Sequence, residues 1–396
     1  MLADNEIVTT ATNPFSVDPI YALQNPAYAS HYPGLVMFDV GYFAGTGSLT
    51  GGIGQSFEGY FPVSKEMTLG FVLARNDASN FSLVNPNLVS AITSAPSPAS
   101  YSRPQSSWEL LSSFKLGSAD AGIGISYFSS DSGTNQPTNA DSTASQYTKF
   151  SQIGISAGTV MKMGDALLDL GAQVILPSIT QTASIGETQT SNNEWSLMAV
   201  GINARAFIPT SNEFYLVPMI NYYLGSGTTT KIGSPKDMPT SSNLDAGLGV
   251  NFWAGGLHVM SGASFSHYAQ TVPSIGSARP AVTHSETIFP RFTIGAEWPA
   301  MKWLTLRFGY FSSTGSETRE TAVDSLHIRA FTNSRTNPYT TLFQTGSGGV
   351  SAGAAFKIER FSFDVTLNSS LFHSALANIF NGTGPFGYAT LSYRFD

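Results

Sequence analysis

The most informative stretch of this 396-residue chain is its end, Phe386-Gly-Tyr-Ala-Thr-Leu-Ser-Tyr-Arg-Phe395-Asp396. Side chains alternate between the two faces of a β-strand. One face therefore carries Ala389, Leu391, Tyr393 and Phe395, and the other carries Tyr388, Thr390, Ser392 and Arg394. An apolar face backed by a small, polar face suits a strand with lipid on one side and a wet lumen on the other. An amphipathic strand of a soluble β-sandwich is the alternative.

The composition favours a membrane barrel over a soluble protein. Charged residues make up 11% of the chain, and there are 38 Gly and no Cys, whereas soluble domains carry about 25% charged residues. No stretch approaches the roughly 18 consecutive apolar residues of a helical span. A barrel explains both facts, because only every second strand residue faces lipid. The absence of Cys fits an oxidising compartment, and the net charge of −7 argues against a nucleic-acid partner.

The start of the chain, Met1-Leu-Ala-Asp-Asn-Glu6, lacks the basic residues and the apolar core of a signal peptide. We therefore expect a mature or re-cloned form, with the signal peptide absent, of a protein located in the outer membrane of a Gram-negative bacterium.

Alternating segments recur from about residue 35 to the end of the chain. They predict an all-β fold, a transmembrane antiparallel up-and-down barrel of about sixteen strands, with fourteen as the next best count. The predicted strands are 35–45, 51–62, 66–76, 106–117, 119–129, 147–163, 166–177, 194–208, 213–225, 243–254, 256–267, 286–298, 301–313, 347–358, 360–371 and 386–395.

The connections between these strands alternate in length. They are short after every even strand, as at Gly117-Ser118 and Gly164-Asp165, and long and polar after nearly every odd strand, as at 130–146 and 314–346. Short periplasmic turns and long extracellular loops are typical of outer-membrane barrels. This alternation is the strongest indication of the fold class.

Residues 1–33 do not alternate and are predicted to form an N-terminal periplasmic or plug-like segment, ahead of a barrel over 34–396. Within this segment, the stretch from Asp18 to Ala27 contains Asn25-Pro26-Ala27. It resembles the stretch before the first strand in the FadL (long-chain fatty acid transporter) family. That resemblance implies that the segment plugs the lumen as a hatch, and it implies a barrel of fourteen strands. An ordered extension tucked under the periplasmic rim is the alternative.

The pattern of Leu391, Tyr393 and Phe395 resembles the C-terminal signal by which bacterial outer-membrane barrels are recognised for insertion. Members of that class usually stop at the Phe, so Asp396 is a departure. The resemblance implies the barrel-assembly machinery as a partner, and the location implies contact with outer-membrane lipid and lipopolysaccharide.

Several charged residues have inward parity and are candidates for setting solute selectivity. Arg291 and Arg307 stand out, because they lie on adjacent predicted strands at similar distances from the turn at Pro299-Ala300. Opposed like charges destabilise a sheet, so either an anion passes between them or each is paired with an acid. The full candidate set is Arg205, Arg291, Arg307, Glu58, Glu109, Asp169, Asp245 and Asp364.

Enzymatic chemistry is not expected. Gly154-Ile-Ser-Ala-Gly158 and Gly349-Val-Ser-Ala-Gly353 match the nucleophile-elbow pattern, but that motif requires a sharp strand-to-helix turn, and both copies lie inside predicted strands. The six His are dispersed without metal-ligand spacing. We therefore predict no catalytic residues, no metal and no cofactor.

The sequence predicts a porin-like channel for passive diffusion of small solutes through a polar lumen, and a homo-oligomer is possible. One alternative is a FadL-like transporter of hydrophobic molecules gated by an N-terminal hatch. It predicts an inward apolar pocket and distortion of the sheet at Pro218 and Pro290. A second alternative is a non-conducting barrel that scaffolds a surface or periplasmic partner. The pocket residues of the first alternative are Phe150, Phe207, Phe289 and Phe311.

Overall fold

The fold is taken from a computed structural model of the chain. It describes residue 15 and residues 19–41, 56–73, 104–139, 142–185, 188–230, 240–272, 282–321, 330–332, 348–367 and 386–395.

Two short 3₁₀ helices precede the strands: η1, Pro19–Leu23, and η2, Pro26–His31. The first half of the sheet comprises β1 Leu35–Gly41, β2 Ser56–Pro62, β3 Met67–Leu73, β4 Pro104–Leu116, β5 Ala119–Asn139, β6 Ser142–Met163, β7 Ala166–Ile185 and β8 Thr188–Ser211. The second half comprises β9 Phe214–Thr229, β10 Thr240–Ala254, β11 Leu257–Val272, β12 Val282–Met301, β13 Leu304–Thr321, β14 Ala330–Thr332, β15 Gly348–Ile358, β16 Phe361–Leu367 and β17 Phe386–Arg394.

The strands form one closed antiparallel ring. Each strand pairs with its neighbour in the chain, and β17 returns to pair with β1, so that Leu35 lies opposite Arg394. β13 pairs directly with β15 along the barrel, and the three-residue β14 pairs beside them with the outer part of β13. The barrel therefore has sixteen strands, which confirms the predicted fold class and count and differs from the fourteen strands of the FadL family.

The closing seam requires a glycine at position 34. Gly34 has φ +76, and a Cβ there would overlap the carbonyl oxygen of Phe395. The Phe395 amide donates to the Gly34 carbonyl oxygen over 2.8 Å. Because glycine tolerates this backbone conformation and close approach, the end of β17 can lie directly against the start of β1.

The strands show the predicted alternation of outward apolar and inward polar side chains. On β7, Val174 and Leu176 are exposed on the outer surface, while Asp169 and Gln173 are buried on the inner surface. On β17, Leu391 is 47% exposed, whereas Thr390 and Ser392 are buried. An outer surface of exposed Leu, Ile, Val and Phe around a polar interior is the arrangement of a transmembrane β-barrel. The chain therefore has the architecture of a bacterial outer-membrane barrel.

No helix within the described residues is long and apolar enough to cross a membrane.

Several predicted loops are in fact paired strand. β5 and β6 remain paired from Ser130 opposite Phe150 to Pro137 opposite Thr143, and β7 and β8 from Thr180 opposite Glu194 to Ile185 opposite Thr188. Beyond the lipid, both faces of a hairpin contact water and need no apolar residue, although the backbone ladder continues. The polar composition of these segments therefore concealed their strand structure. The predicted connection at 46–50 and most of the loops at 77–105 and 314–346 lie outside the described residues.

The two prolines expected to distort the sheet behave differently. The pairing register shifts between Ile288 and Arg291, at Pro290. No register shift occurs at Pro218, where β9 stays in register with β10, but its pairing with β8 is interrupted, since the ladder passes from Arg205 opposite Met219 to Ile208 opposite Leu216. The alternation on β9 is lost for another reason. Its inward residues Val217 and Met219 pack against the buried apolar core formed with the N-terminal residues.

Candidate functional site

Phe15 and residues 19–32, together called the N-terminal segment, form a compact and buried unit. Asn25 caps η2, and its side chain accepts a hydrogen bond from the Ala27 amide over 3.1 Å. Pro26 follows at the first helical position, where its missing N–H costs nothing. Asn followed by Pro therefore favours the start of a helix at this position. The unit is apolar for its length, and Leu23, Ala27 and Tyr28 are fully buried.

The N-terminal segment is enclosed by the barrel and contacts several sides of its inner wall. The Tyr60 hydroxyl on β2 donates to the Pro19 carbonyl oxygen over 3.2 Å, and Asn251 Nδ2 on β10 donates to the Phe15 carbonyl oxygen over 2.9 Å. His31 Nε2 lies 3.0 Å from Asp120 Oδ2 on β5. These wall residues lie within a few positions of the short turns. The segment therefore spans the lumen near the short-turn rim, the end of the barrel that carries both ends of the strand run.

Glycines on the inner wall make room for this segment. A Cβ at Gly122 would overlap the backbone of Pro26 and Ala27, and a Cβ at Gly158 would overlap the Asn25 side chain. Cβ atoms at the neighbouring positions Gly249 and Gly262 would overlap the Phe15 ring. Each of these sites thus requires the smallest side chain for close approach.

Asp169 joins the N-terminal segment to the wall. Asn25 Nδ2 donates to its Oδ1 over 2.5 Å, and the Tyr28 hydroxyl donates to its Oδ2 over 3.0 Å. Arg205, directly opposite on β8, donates to Oδ2 from Nε at 3.0 Å and from Nη2 at 2.7 Å. The Arg205 guanidinium also stacks 4.2 Å from the centre of the Tyr21 ring. These four polar residues, Asn25, Tyr28, Asp169 and Arg205, are called the Asp169 cluster below.

The electrostatics of the Asp169 cluster favour a closed arrangement. Burial and the nearby Asp169 carboxylate raise the pKa of the Tyr28 hydroxyl well above its usual range, so it remains a hydrogen-bond donor. Two buried opposite charges are tolerable only when their geometry is good and their remaining polar groups are satisfied. Asn25 and Tyr28 meet the second condition, because both donate hydrogen bonds to the Asp169 carboxylate. Withdrawal of the N-terminal segment would leave Asp169 with fewer donors.

Arg307 is paired entirely within the wall. Its Nε donates to Glu297 on β12, directly opposite, and its Nη1 donates to Asp364 on β16. The two arginines singled out in the sequence do not face each other, because Arg291 lies opposite Ser313 instead. The register is constant from Arg291 to Pro299, so the offset comes from the turn, which follows Met301 and does not lie at Pro299-Ala300 as predicted. Arg307, Glu297 and Asp364 are called the Arg307 cluster below.

The remaining predicted lumen residues are all buried on the inner wall. Glu58 lies 3.5 Å from the Tyr60 hydroxyl, Glu109 lies on β4, and Asp245 accepts a hydrogen bond from Asn243 over 2.8 Å. The structure brings Asp169 and Arg205 together, and Arg307 and Asp364. Glu58 and Glu109 belong to neither cluster. The set's assignment to selectivity stays a prediction.

The residues of the C-terminal pattern lie at the seam. Leu391 faces outward, the Tyr393 ring lies 4.7 Å from that of Phe361, and the Phe395 ring lies 5.3 Å from that of Phe61. Their role as an insertion signal stays a prediction.

Inward apolar residues form a row higher in the lumen, away from the short turns. Phe150 lies opposite Ile179, and Ile179 lies opposite Trp195. The Phe128 ring packs edge-on at 5.5 Å from that of Phe150. Phe150 and Phe207 are buried on the inner side as expected, but Phe289 is 60% exposed on the outside. It was assigned inward by strict alternation, which the adjacent bulge interrupts.

Sequence reasoning missed Phe15, Tyr21 and Tyr28. Tyr28 directly follows the Asn-Pro-Ala tripeptide, and that adjacency was the available signal. The partners of Tyr21 and Phe15 lie on strands that no local pattern connects to the first 30 residues.

The two G-x-S-x-G stretches do not form a nucleophile elbow. Both G-x-S-x-G stretches lie within β6 and β15, away from any strand-to-helix turn. Among the described residues, no group of three or more His, Asp or Glu side chains could hold a metal ion. A cavity of about 460 Å³ opens beside the short turns and is lined by Lys162, Asp165, Leu167, Phe207, Tyr215 and Trp253, among others.

No protein-family model and no curated protein matches this chain.

Several solved structures are similar to it. The toluene transporter TodX from Pseudomonas putida is 10% identical with a TM-score of 0.38, and the match covers 97% of this chain and 95% of that chain. CdiB from Escherichia coli is 11% identical with a TM-score of 0.42, covering 92% of this chain. The chain spans only 63% of that CdiB and 58% of CdiB from Acinetobacter baumannii. At these identities and TM-scores, the similarity indicates neither a family nor an activity.

Proposed function

We propose that this protein is a passive outer-membrane transporter of small molecules whose lumen is gated by its N-terminal segment. The observation that carries the proposal is the Asp169 cluster. One wall carboxylate accepts hydrogen bonds from two residues of the segment and pairs with one wall arginine. An element that lies in the lumen without belonging to the sheet, and is held there by non-covalent contacts, can act as a gate.

The glycines of the inner wall support the same proposal. Gly122, Gly158, Gly249 and Gly262 lie on four different strands, and each accommodates an atom of the N-terminal segment. A permanently open diffusion pore has no use for this fit. The porin-like prediction is therefore the less favoured version of the same transport role.

A disulfide lock tests the gate, because the chain has no cysteine of its own. An ideal Cβ at position 158 lies 2.5 Å from Asn25 Cγ, the position that the sulfur atom of Asn25→Cys would take. A small shift that relieves this overlap would bring the sulfur atoms of Asn25→Cys and Gly158→Cys to bonding distance. Liposome uptake of a small sugar is then measured for the oxidised and the reduced double variant. We expect the reduced protein to transport and the oxidised protein to be closed.

The controls are the two single-cysteine variants, which carry the same substitutions one at a time and cannot form the bond. Equal uptake by the oxidised and reduced double variants, with the disulfide verified, would contradict the gate. No uptake by any variant would favour the non-conducting scaffold.

A second candidate cargo is hydrophobic. The inward row of buried Phe128, Phe150, Ile179 and Trp195 favours it, because an apolar solute that enters between these side chains is removed from water. Uptake of toluene by the reduced double variant, compared with the sugar, would separate the two cargo classes.

A further inference from the structure

Among the described residues, Arg291 and Asp245 differ from Asp169, Arg205, Arg307 and Asp364 because they are buried without forming an ion pair. Arg291 is 7% exposed and Asp245 is 5% exposed. Among the described residues, the Arg291 guanidinium makes no hydrogen bond or ion pair, and the Oδ1 atom of Asp245 has no hydrogen-bond partner. The two groups are close enough to attract each other electrostatically. Burying a charge without an ion-pair partner costs free energy. A bound ligand with complementary charges would therefore stabilise both residues.

A bulge in the sheet turns Arg291 toward the lumen. Glu286 and Ile288 are buried on the inner side, so strict alternation from them would turn Arg291 outward into lipid. The register shifts on both neighbouring strands at this point, between Ser264 and Ser266 and between Ile288 and Arg291. The extra residue of β12 at this bulge turns the Arg291 side chain back toward the lumen. Bulges often re-aim a side chain in this way beside functional sites.

The side chains around the pair are small and hydroxylated. Ser264 on β11 and Ser313 on β13 lie directly opposite Arg291, and Ser266 lies opposite Asp245. Asn243 holds the other oxygen of Asp245 over 2.8 Å. Asp245 therefore keeps a fixed orientation with Oδ1 unused. Hydroxyl groups both donate and accept hydrogen bonds, so they suit a ligand with polar groups of both kinds.

We propose that Arg291 and Asp245 bind the head group of a small zwitterion in the lumen, an α-amino acid being the simplest example. Its carboxylate accepts the forked N–H donors of Arg291, and its ammonium donates to Oδ1 of Asp245. Guanidinium groups match carboxylates in two-point geometry. A simple anion would be repelled by Asp245 and a simple cation by Arg291. Only a ligand with both charges satisfies both residues, and this inference extends the proposed transport function by naming a solute class.

Isothermal titration calorimetry of the full-length protein in detergent tests the site, with three probes of similar size: L-alanine, propionate and ethylammonium. We expect alanine to bind at least tenfold more tightly than either of the others. Arg291→Gln and Asp245→Asn should each weaken alanine binding at least tenfold, whereas Arg291→Lys should retain part of it. Lys357→Gln, which removes an exposed charge at the short-turn rim, is the matched control and should bind as the unmodified chain does.

Far-UV circular dichroism verifies that each variant is folded, and the Lys variant keeps the test informative if Arg291→Gln does not fold. Absence of alanine binding would overturn the proposal, and so would equal binding of alanine and propionate or unchanged binding after Arg291→Gln. Because binding is measured in detergent, its outcome is independent of the gate. Binding without oxidation-sensitive uptake would overturn the gate and leave the site standing.

Discussion

Arg205 and Arg307 are both inward, buried arginines paired with carboxylates, yet they hold different parts of the molecule together. Arg307 bonds to Glu297 and Asp364, which are both wall residues. Arg205 bonds to the wall residue Asp169, and the same carboxylate also binds Asn25 and Tyr28 of the N-terminal segment. The Arg307 cluster therefore links strands to one another. The Asp169 cluster links the wall to an element that is not part of the sheet.

The difference shows that the local chemistry of an ion pair does not reveal its role. Both clusters contain a guanidinium and at least one carboxylate in a buried setting. What distinguishes them is whether any partner can leave without unfolding the barrel. Labelling of a cysteine in the N-terminal segment can measure this distinction. Ser30→Cys suits the purpose, because Ser30 is buried and similar in size to Cys.

The largest effect is expected from Asp169→Ala in the Ser30→Cys background. The change leaves Arg205 without the Asp169 carboxylate, removes the acceptor of Tyr28 and removes one acceptor of Asn25, which also donates to the carbonyl oxygens of Thr159 and Leu170. Breaking a buried charge pair from one side costs about 3–5 kcal/mol, and here much of that cost falls on the attachment of the segment. A maleimide should label residue 30 at least tenfold faster than in Ser30→Cys alone. An unchanged labelling rate would mean that the cluster does not hold the segment.

A smaller effect is expected from Gly122→Ala, which adds a Cβ where the backbone of Pro26 and Ala27 lies. Overpacking of a close contact costs about 1–3 kcal/mol, so labelling of residue 30 should accelerate less than with Asp169→Ala. The matched control is Gly133→Ala on the same strand, where the nearest atom to an added Cβ is the Tyr147 ring edge at 3.2 Å. Equal acceleration by both alanines would mean that fit to the segment is not the cause.

The smallest effect on labelling is expected from Arg307→Gln. This change leaves Glu297 and Asp364 without their shared cation, and should lower the free energy of unfolding of the barrel by about 3–5 kcal/mol. Guanidinium chloride unfolding in detergent measures that loss. Labelling of residue 30 under native conditions should stay unchanged. Acceleration comparable to that of Asp169→Ala would show that the two clusters are coupled, and the distinction between them would fail.

Much of the barrel could be predicted from the sequence, because the period-two pattern is local. The predicted strands at 166–177 and 386–395 agree with the observed strands within a few residues at the short-turn end of the barrel, and their faces are correct. Prediction failed where the physical environment changes without a change in backbone structure. Outside the lipid, the hairpins of β5 with β6 and of β7 with β8 need no apolar face, so their polar residues suggested loops.

The bulge at Pro290 shows a second limit. Proline indicated a distortion there and also at Pro218, where the pairing with β8 is interrupted but the register does not shift. A proline is tolerated wherever its missing N–H is not needed, so its presence alone does not reveal a shift in register. Since a shift of one residue reverses every face beyond it, the inward assignment of Phe289 failed beside an otherwise correct strand.

Alternating hydrophobicity along the chain was sufficient to specify the class of fold, the number of strands and most of the inward charges, because each depends on neighbours two residues apart. The partners of those charges were not accessible in the same way. Asp169 meets Arg205 from 36 residues away, Tyr28 from 141 and Asn25 from 144. Such pairings arise only when the sheet closes into a ring and its register brings distant strands around a common interior. Closure of the ring is therefore what makes the N-terminal segment part of the lumen and separates the paired arginines from Arg291.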